Sequence, residues 1–170
     1  TTGSQLDTMA RAPLWREGMD YGHGTGHGVG CYGCVHEFPP RIAPSATAVL
    51  LQPGMTVSNE PGLYLTGQYG IRIENVCLVI EKISPTNSIS GHGPFYGFED
   101  LTMVPYCSRL IDTRLLTPSE IKAVRDYHTQ VWNTLGPLLE NEPPVQQWLK
   151  TYPIISLEDP FAEDAWEQWT

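Results

Sequence analysis

Gly22-His23-Gly24-Thr25-Gly26-His27-Gly28-Val29-Gly30 sets two imidazoles in a run built largely of glycine, and His36-Glu37 follows close behind. Downstream, Ser58-Asn59-Glu60-Pro61-Gly62 and Gly70-Ile71-Arg72-Ile73-Glu74-Asn75 carry two glutamates fourteen positions apart. Glycine lets backbone crowd an ion or a substrate at conformations a side chain forbids. Imidazole nitrogen and carboxylate oxygen together suit manganese, zinc, iron or cobalt. Each residue alone reads more readily as part of a turn or a half-exposed strand. Their joint occurrence is what a divalent-metal hydrolase needs.

Side chains alternate along a strand. A strand through Ile71–Glu81 therefore puts Arg72 and Glu74 on one face and Ile71 and Ile73 on the other. The isoleucines can bury while the polar pair points into a cleft. A guanidinium beside a carboxylate keeps it ionised and aimed. The bland alternative for Arg72 and Glu74 is a surface ion ladder, and for His36 a satisfied loop histidine.

The order and content of these segments resemble the aminopeptidase P family, the X-Pro aminopeptidases of the pita-bread fold, and their cytosolic eukaryotic branch above all. The pattern of that family, HGTGHGVG, VHE, EPG and GIRIEN, stands here as His23–Gly30, Val35-His36-Glu37, Glu60-Pro61-Gly62 and Gly70–Asn75. Leu6–Trp15 resembles its preceding helix and Leu101–Pro105 its last core strand, so the likeness covers about residues 1–150. It implies an α+β fold, the C-terminal part of a pita-bread domain with a curved antiparallel sheet flanked by helices. It also implies that His27, Glu60 and Glu74 ligate two divalent ions, manganese first and zinc or cobalt next, with Glu74 bridging them. His23 and His36 then bind substrate and move protons, Arg72 supports the ligating carboxylates and lines the substrate site, and Glu60 doubles as the catalytic base. The implied reaction is hydrolysis of the first bond of an X-Pro peptide by a metal-activated water. The nitrogen of that bond is tertiary and carries no hydrogen, so a dedicated enzyme is expected. A histidine that titrates near neutral pH suits the proton relay. Peptides with proline second are the implied partners, a cytoplasmic location is implied with them, and a homodimer stays open.

One departure matters. The family draws two further ligands from paired aspartates upstream of the histidine run. Here only Asp7 and Asp20 precede His27, and neither matches that motif. A further substrate histidine has no counterpart either. The chain thus reads as the C-terminal part of a larger catalytic domain, whose remainder is an expected partner. By itself it is expected to bind metal weakly and to leave the Ile71–Ile73 face and the helix at Ile121 without partners. A metal-free relative that binds peptides or partners is the alternative class.

The formal net charge of −9 argues against a nucleic-acid partner, which calls for a basic footprint. Five acids and no base occupy the last 20 residues, so the body is only mildly acidic. No apolar run approaches the ~20 residues that span a bilayer. Cys31, Cys34, Cys77 and Cys107 read as free thiols; Cys31-Tyr32-Gly33-Cys34 has the C-x-x-C form, but no second such pair exists to complete a zinc site. Residues 151–170 read as an acidic tail, either natural or joined from another protein: Tyr152–Phe161 and Asp164–Trp169 resemble a short enolase segment, in which Glu158 falls at a magnesium-binding glutamate. An enolase-type lyase is thereby a third, remote reading.

Leu6, Met9 and Ala10 predict one face of a short helix ending before Pro13. A glycine-rich loop with a short strand follows over residues 20–36, and a Pro/Ser connector over 38–46. Strands are predicted at Ala48–Leu51 and Met55–Asn59 around the Pro53-Gly54 turn. A hairpin connection over Gly62–Gly70, a loop over Ser84–Gly97 and a short strand over Leu101–Pro105 complete this part. Thr117-Pro118-Ser119-Glu120 is a strong helix start, with cap, first-turn proline and capping box. Ile121, Val124, Tyr127, Val131 and Leu135 keep helical spacing up to Gly136-Pro137, and Val145–Lys150 suggests a last short helix.

Overall fold

The computed structural model describes residues 1–45, 49–82 and 94–151. They form two compact units, Thr1–Thr102 and Met103–Thr170. The elements of the first are α1 (Gly3–Arg16), β1 (Gly26–His27), β2 (Arg41–Ile42), β3 (Thr56–Asn59), β4 (Gly62–Leu65), β5 (Tyr69–Arg72), β6 (Asn75–Lys82) and β7 (Phe95–Asp100). Those of the second are α2 (Pro118–Leu135) and α3 (Pro143–Thr151), with short 3-10 turns.

All pairing is antiparallel. The main sheet runs β3-β6-β7, and β1-β2 and β4-β5 form two-stranded ribbons. Along β6, Asn75, Cys77 and Val79 are buried while Val76, Leu78 and Ile80 are only half so, the alternation a one-sided strand requires. Val57 and Val79 meet Ile42 and Leu51 in the core of this unit, with Leu6 and Met55 packed against it. In the second unit, Thr117 caps α2 and forms the capping box with Glu120, and Pro118 occupies the first turn. Its inward face gives Tyr127 and Val131 to a core with Leu149.

The helices α2 and α3 lie where the sequence predicts them, while the stretch read as a hairpin connection, Gly62–Gly70, itself holds β4 and most of the β4–β5 hairpin. Other expectations need correction. Helix α1 continues through Pro13 to Arg16. The missing N–H of Pro13 frees the carbonyl of Met9, and Met9 is 70% exposed, so water can serve that carbonyl. The buried line of α1 is Gly3, Asp7 and Arg11, not Met9, because Arg11 is wanted beneath the histidine loop. The strand predicted through Ile71–Glu81 is two strands broken at Ile73-Glu74, since β5 turns back on β4 while β6 joins β3 and β7. Ile71 and Ile73 are 48% and 52% exposed, as expected of this chain by itself: the hairpin is only two strands wide, and no second layer covers it among the described residues. The last strand is Phe95–Asp100, not Leu101–Pro105; aromatic Phe95, Tyr96 and Phe98 suit a strand, and pairing stops soon after Leu101 N–H reaches Val76 O at 2.8 Å. The 38–46 connector contains β2. At the predicted Ala48–Leu51 strand, Ala48 lies outside the described residues and Leu50 makes only an isolated bridge to Thr2. Residues 84–93 of the predicted loop and the enolase-like tail, 152–169, also lie outside them.

Candidate active site

The histidine loop is held from below by one buried arginine. Arg11 Nε donates to Asp7 Oδ2 at 2.8 Å, and its Nη1 donates to Asp20 Oδ1 at 2.6 Å and to the Tyr21 carbonyl at 2.7 Å. Its Nη2 donates to the His23 carbonyl at 2.5 Å. The guanidinium also lies 3.9 Å from the centre of the Tyr21 ring. Thr25 Oγ1 gives its only hydrogen to Asp7 Oδ1 at 2.7 Å, so the Tyr21 hydroxyl donates to Thr25 at 2.5 Å. Burial works against the charge of Arg11, but hydrogen bonds to Asp7 and Asp20 outweigh it and hold the guanidinium above its ordinary pKa. Three successive stations of the loop, at residues 21, 23 and 25, are thereby fixed to α1.

From above, the loop is sewn to β3. Glu60 N–H donates to the Thr25 carbonyl at 2.8 Å, and His27 N–H to Ser58 Oγ at 3.0 Å. Gly26 is where the two backbones come closest: a Cβ there would collide with the Ser58 carbonyl, so no other residue fits. This close approach carries the His27 ring to the Glu60 carboxylate.

The side chains then form one connected network. His23 Nδ1 donates to the Gly24 carbonyl at 2.8 Å, so in the neutral ring Nε2 accepts from the Tyr64 hydroxyl at 2.7 Å. The Tyr64 oxygen accepts from Arg72 Nε at 2.9 Å, and Arg72 Nη1 reaches Glu60 Oε2 at 3.3 Å. Ser58 Oγ donates to Glu60 Oε1 at 2.9 Å. The same Oε1 lies 3.1 Å from His27 Nε2, and the His27 and His36 rings stand 4.1 Å apart. Tyr64 first, then Glu60 and Glu74, hold the Arg72 guanidinium above its ordinary pKa. His27 and His36 line a cleft of about 210 Å³ with Gly24, Gly26, Glu37, Phe38 and Arg41.

Thus His23, His27, His36, Glu60 and Arg72 come together, five of the six residues singled out in the sequence. Glu74 is exposed, at the break between β5 and β6, and joins the others only through its charge on Arg72. Among the described residues no three His, Cys, Asp or Glu side chains cluster closely enough to hold an ion. The His27–Glu60 pair nevertheless fits one end of a metal site. His27 Nδ1 spends its hydrogen on the Gly28 carbonyl at 2.9 Å, which turns the Nε2 lone pair toward a carboxylate oxygen. Two acceptors facing each other at that distance call for a positive species between them.

Tyr64 was not legible as a site residue. It lies on the same face of the hairpin as Arg72, one diagonal step across the ribbon, given the pairs Gly62↔Arg72 and Tyr64↔Gly70. Its side chain lies over Gly62 and Gly70, where a Cβ would come within 2.5 Å of the hydroxyl and 2.7 Å of the ring. The available signal was the facing pair Gly-x-Tyr and Gly-x-Arg.

The metallopeptidase family M24 matches residues 1–81, and the C-terminal region of peptidase M24 matches residues 94–152. The crystal structure of X-prolyl aminopeptidase from Caenorhabditis elegans, described as a cytosolic enzyme with a di-nuclear active site, superposes with a TM-score of 0.81. It is 37% identical, over 89% of this chain and 24% of that one. The fold is accordingly the α+β fold of the C-terminal part of the pita-bread peptidases. Probable Xaa-Pro aminopeptidase P of Coprinopsis cinerea is 52% identical over 160 residues, and that of Arthroderma otae 49% over 158; each alignment covers 91% of this chain and 25% of the relative. The chain belongs to the aminopeptidase P family of the M24 metallopeptidases. It spans about a quarter of the length of these relatives. The enolase likeness of residues 152–169 is not borne out by these comparisons.

Proposed function

We propose that residues 1–150 form the C-terminal part of the catalytic domain of a metalloaminopeptidase that removes an N-terminal residue preceding proline. The observation that carries this reading is the His27 Nε2–Glu60 Oε1 pair at 3.1 Å, joined through Arg72 and Tyr64 to His23. His27 and Glu60 would hold one divalent ion and Glu74 would bridge it to a second, with manganese the leading candidate and zinc or cobalt next. Such ions polarise the scissile carbonyl and lower the pKa of water. The aspartate ligands of the family have no counterpart among residues 1–170.

Within this frame each side chain has a task. Glu60 takes the proton of the attacking water and passes it toward the proline nitrogen, which has no hydrogen of its own. Arg72 on Oε2 holds the carboxylate in place until then. His36, beside His27, assists at the leaving nitrogen, while His23 orients the peptide with Tyr64 behind it. The likeness to a cytosolic neighbour supports a cytoplasmic location. No helix among the described residues is long and apolar enough to cross a membrane. A second reading, a metal-free pita-bread module that binds peptides or partners, draws on the lack of a three-ligand cluster among the described residues.

The deciding experiment offers the full-length protein an X-Pro-Pro peptide and its N-acetylated form. Cleavage of the first bond in the free peptide alone is expected. Equal cleavage of both contradicts aminopeptidase action, and binding without cleavage favours the metal-free module.

A further inference from the structure

The C-x-x-C pair takes no part in the network above, yet it sits on the loop that carries His36. That loop leaves β1 and returns to β2 as a narrow ribbon. Gly28 N–H donates to the Pro40 carbonyl at 2.7 Å, Glu37 N–H to the Gly28 carbonyl at 2.8 Å, and Gly30 N–H to the Cys34 carbonyl at 2.8 Å. Cys31 and Cys34 therefore lie at its tip, and His36 is on the returning arm. Both thiols are exposed. The tip is tight: a Cβ built on Gly30 would stand 3.0 Å from the Cys34 Cβ, so Cys34 projects across the ribbon toward the residue next to Cys31. Cys34 Sγ also donates its hydrogen to the His36 carbonyl at 3.3 Å.

We propose that Cys31 and Cys34 are a reversible thiol–disulfide modification site, and that oxidation of the pair loosens the placement of His36. The oxidant is a small-molecule disulfide. The Cys31 thiolate attacks one of its sulfurs, the S–S bond breaks, and one small thiol leaves. The Cys34 thiolate then attacks the mixed disulfide at the Cys31 sulfur, forming the Cys31–Cys34 bond and expelling the second small thiol. Two protein thiols lose two electrons, the small disulfide gains them, and the two protons end on the released thiols. The disulfide sulfur of Cys34 has no hydrogen left to give the His36 carbonyl. The His36 backbone thereby loses a tether beside the His27 ring.

The chain carries its own control. Cys77 is buried, and desolvation together with the Asp100 carboxylate pushes its thiol up to about 12. A thiol held that high is a poor nucleophile near neutral pH. Disulfide exchange should pass it by.

The effect on His36 rests on the peptidase reading; the disulfide chemistry does not. The 170-residue chain is incubated with oxidised glutathione, quenched with N-ethylmaleimide and mapped by mass spectrometry. The expected product is a peptide carrying an internal Cys31–Cys34 bond, lighter by two hydrogens, with Cys77 outside it and full reversal by dithiothreitol. Cys34→Ser should instead trap glutathione on Cys31. Stable glutathione adducts on the unchanged chain, or links to Cys77 as frequent as the Cys31–Cys34 link, overturn the site. In the full-length protein, oxidation should lower turnover of an X-Pro peptide several-fold, dithiothreitol should restore it, and Cys31→Ser should make it insensitive. Disulfide formation with unchanged turnover overturns the coupling to His36. No turnover in the reduced protein defeats the peptidase reading and leaves the disulfide result standing.

Discussion

Two arginines of this chain each meet a tyrosine and a carboxylate, and they do opposite work. Arg11 is 2% exposed, lies over the Tyr21 ring, and two of its hydrogen bonds go to backbone carbonyls. The Arg72 side chain is 44% exposed, stands 5.9 Å from the Tyr64 ring, and touches only side chains of the candidate site. Burial decides the difference. In the interior a guanidinium must satisfy all its donors, so it becomes a fixture of the fold. On a rim it can remain partly hydrated and answer to whatever enters the cleft. The histidine side of the site is thus preorganised by this chain itself, while the hairpin side stands on a two-stranded ribbon with exposed Ile71 and Ile73.

The largest expected effect lies at the buried arginine. Arg11→Ala removes the ion-pair partner of buried Asp7, a loss on the order of 3–5 kcal/mol. Urea unfolding of the 170-residue chain should show a transition displaced far to lower urea or no cooperative transition at all. A midpoint within error of the unchanged chain would dissolve the contrast between the two arginines.

Next come the histidines. His23→Ala and His36→Ala in the full-length protein should each lower turnover of an X-Pro peptide by about 10²-fold or more, the scale of a general acid–base group. Their urea midpoints should barely move, because neither ring belongs to the core of the fold. A variant that loses stability in proportion to turnover would assign the ring to the fold.

Tyr64→Phe probes the exposed side alone. It deletes the hydroxyl between His23 and Arg72 while keeping the ring over Gly62 and Gly70. Turnover should fall about tenfold, the equivalent of ~1.4 kcal/mol, while stability stays within about 0.5 kcal/mol, as for other exposed sites. The reverse pattern would make Tyr64 a structural residue like Tyr21.

The smallest effect concerns acid. A hydrogen bond from Trp15, then those from Arg11 and the Tyr21 backbone, hold the Asp20 carboxyl below its ordinary pKa. A lowered folded pKa adds stability above the unfolded value of about 3.9, and that addition fades as pH falls through the folded one. The stability gap between the unchanged chain and Asp20→Asn should therefore close on acidification. A gap that widens in acid would reverse the sign.

What the sequence made legible follows the same division. His23, His27, His36, Glu60 and Arg72 were readable because their chemistry is rare in a glycine-rich setting and their order matches a family. The capped helix at Thr117 was readable because its signals are local. Asp7 and Arg11 were not: on a helix four residues apart they look like a surface pair, and only the tertiary fold shows them buried beneath the loop. Tyr64 was hidden for a related reason, since its partners are set by hairpin register rather than by spacing along the chain. The break at Ile73-Glu74 leaves no mark in the sequence, because alternation looks continuous when neighbouring strands diverge. Phe95–Asp100 was lost to the glycines and prolines before it.

The central claim is that His27 and Glu60 form one end of a metal site while His36 stands beside it without ligating. Elemental analysis of the full-length protein after dialysis tests this most directly, run in parallel on His27→Ala and His36→Ala. The account predicts two divalent ions per chain in the unchanged protein, loss of metal in His27→Ala and near-normal content in His36→Ala. A fully active protein without metal, or loss of metal in His36→Ala alone, would contradict it.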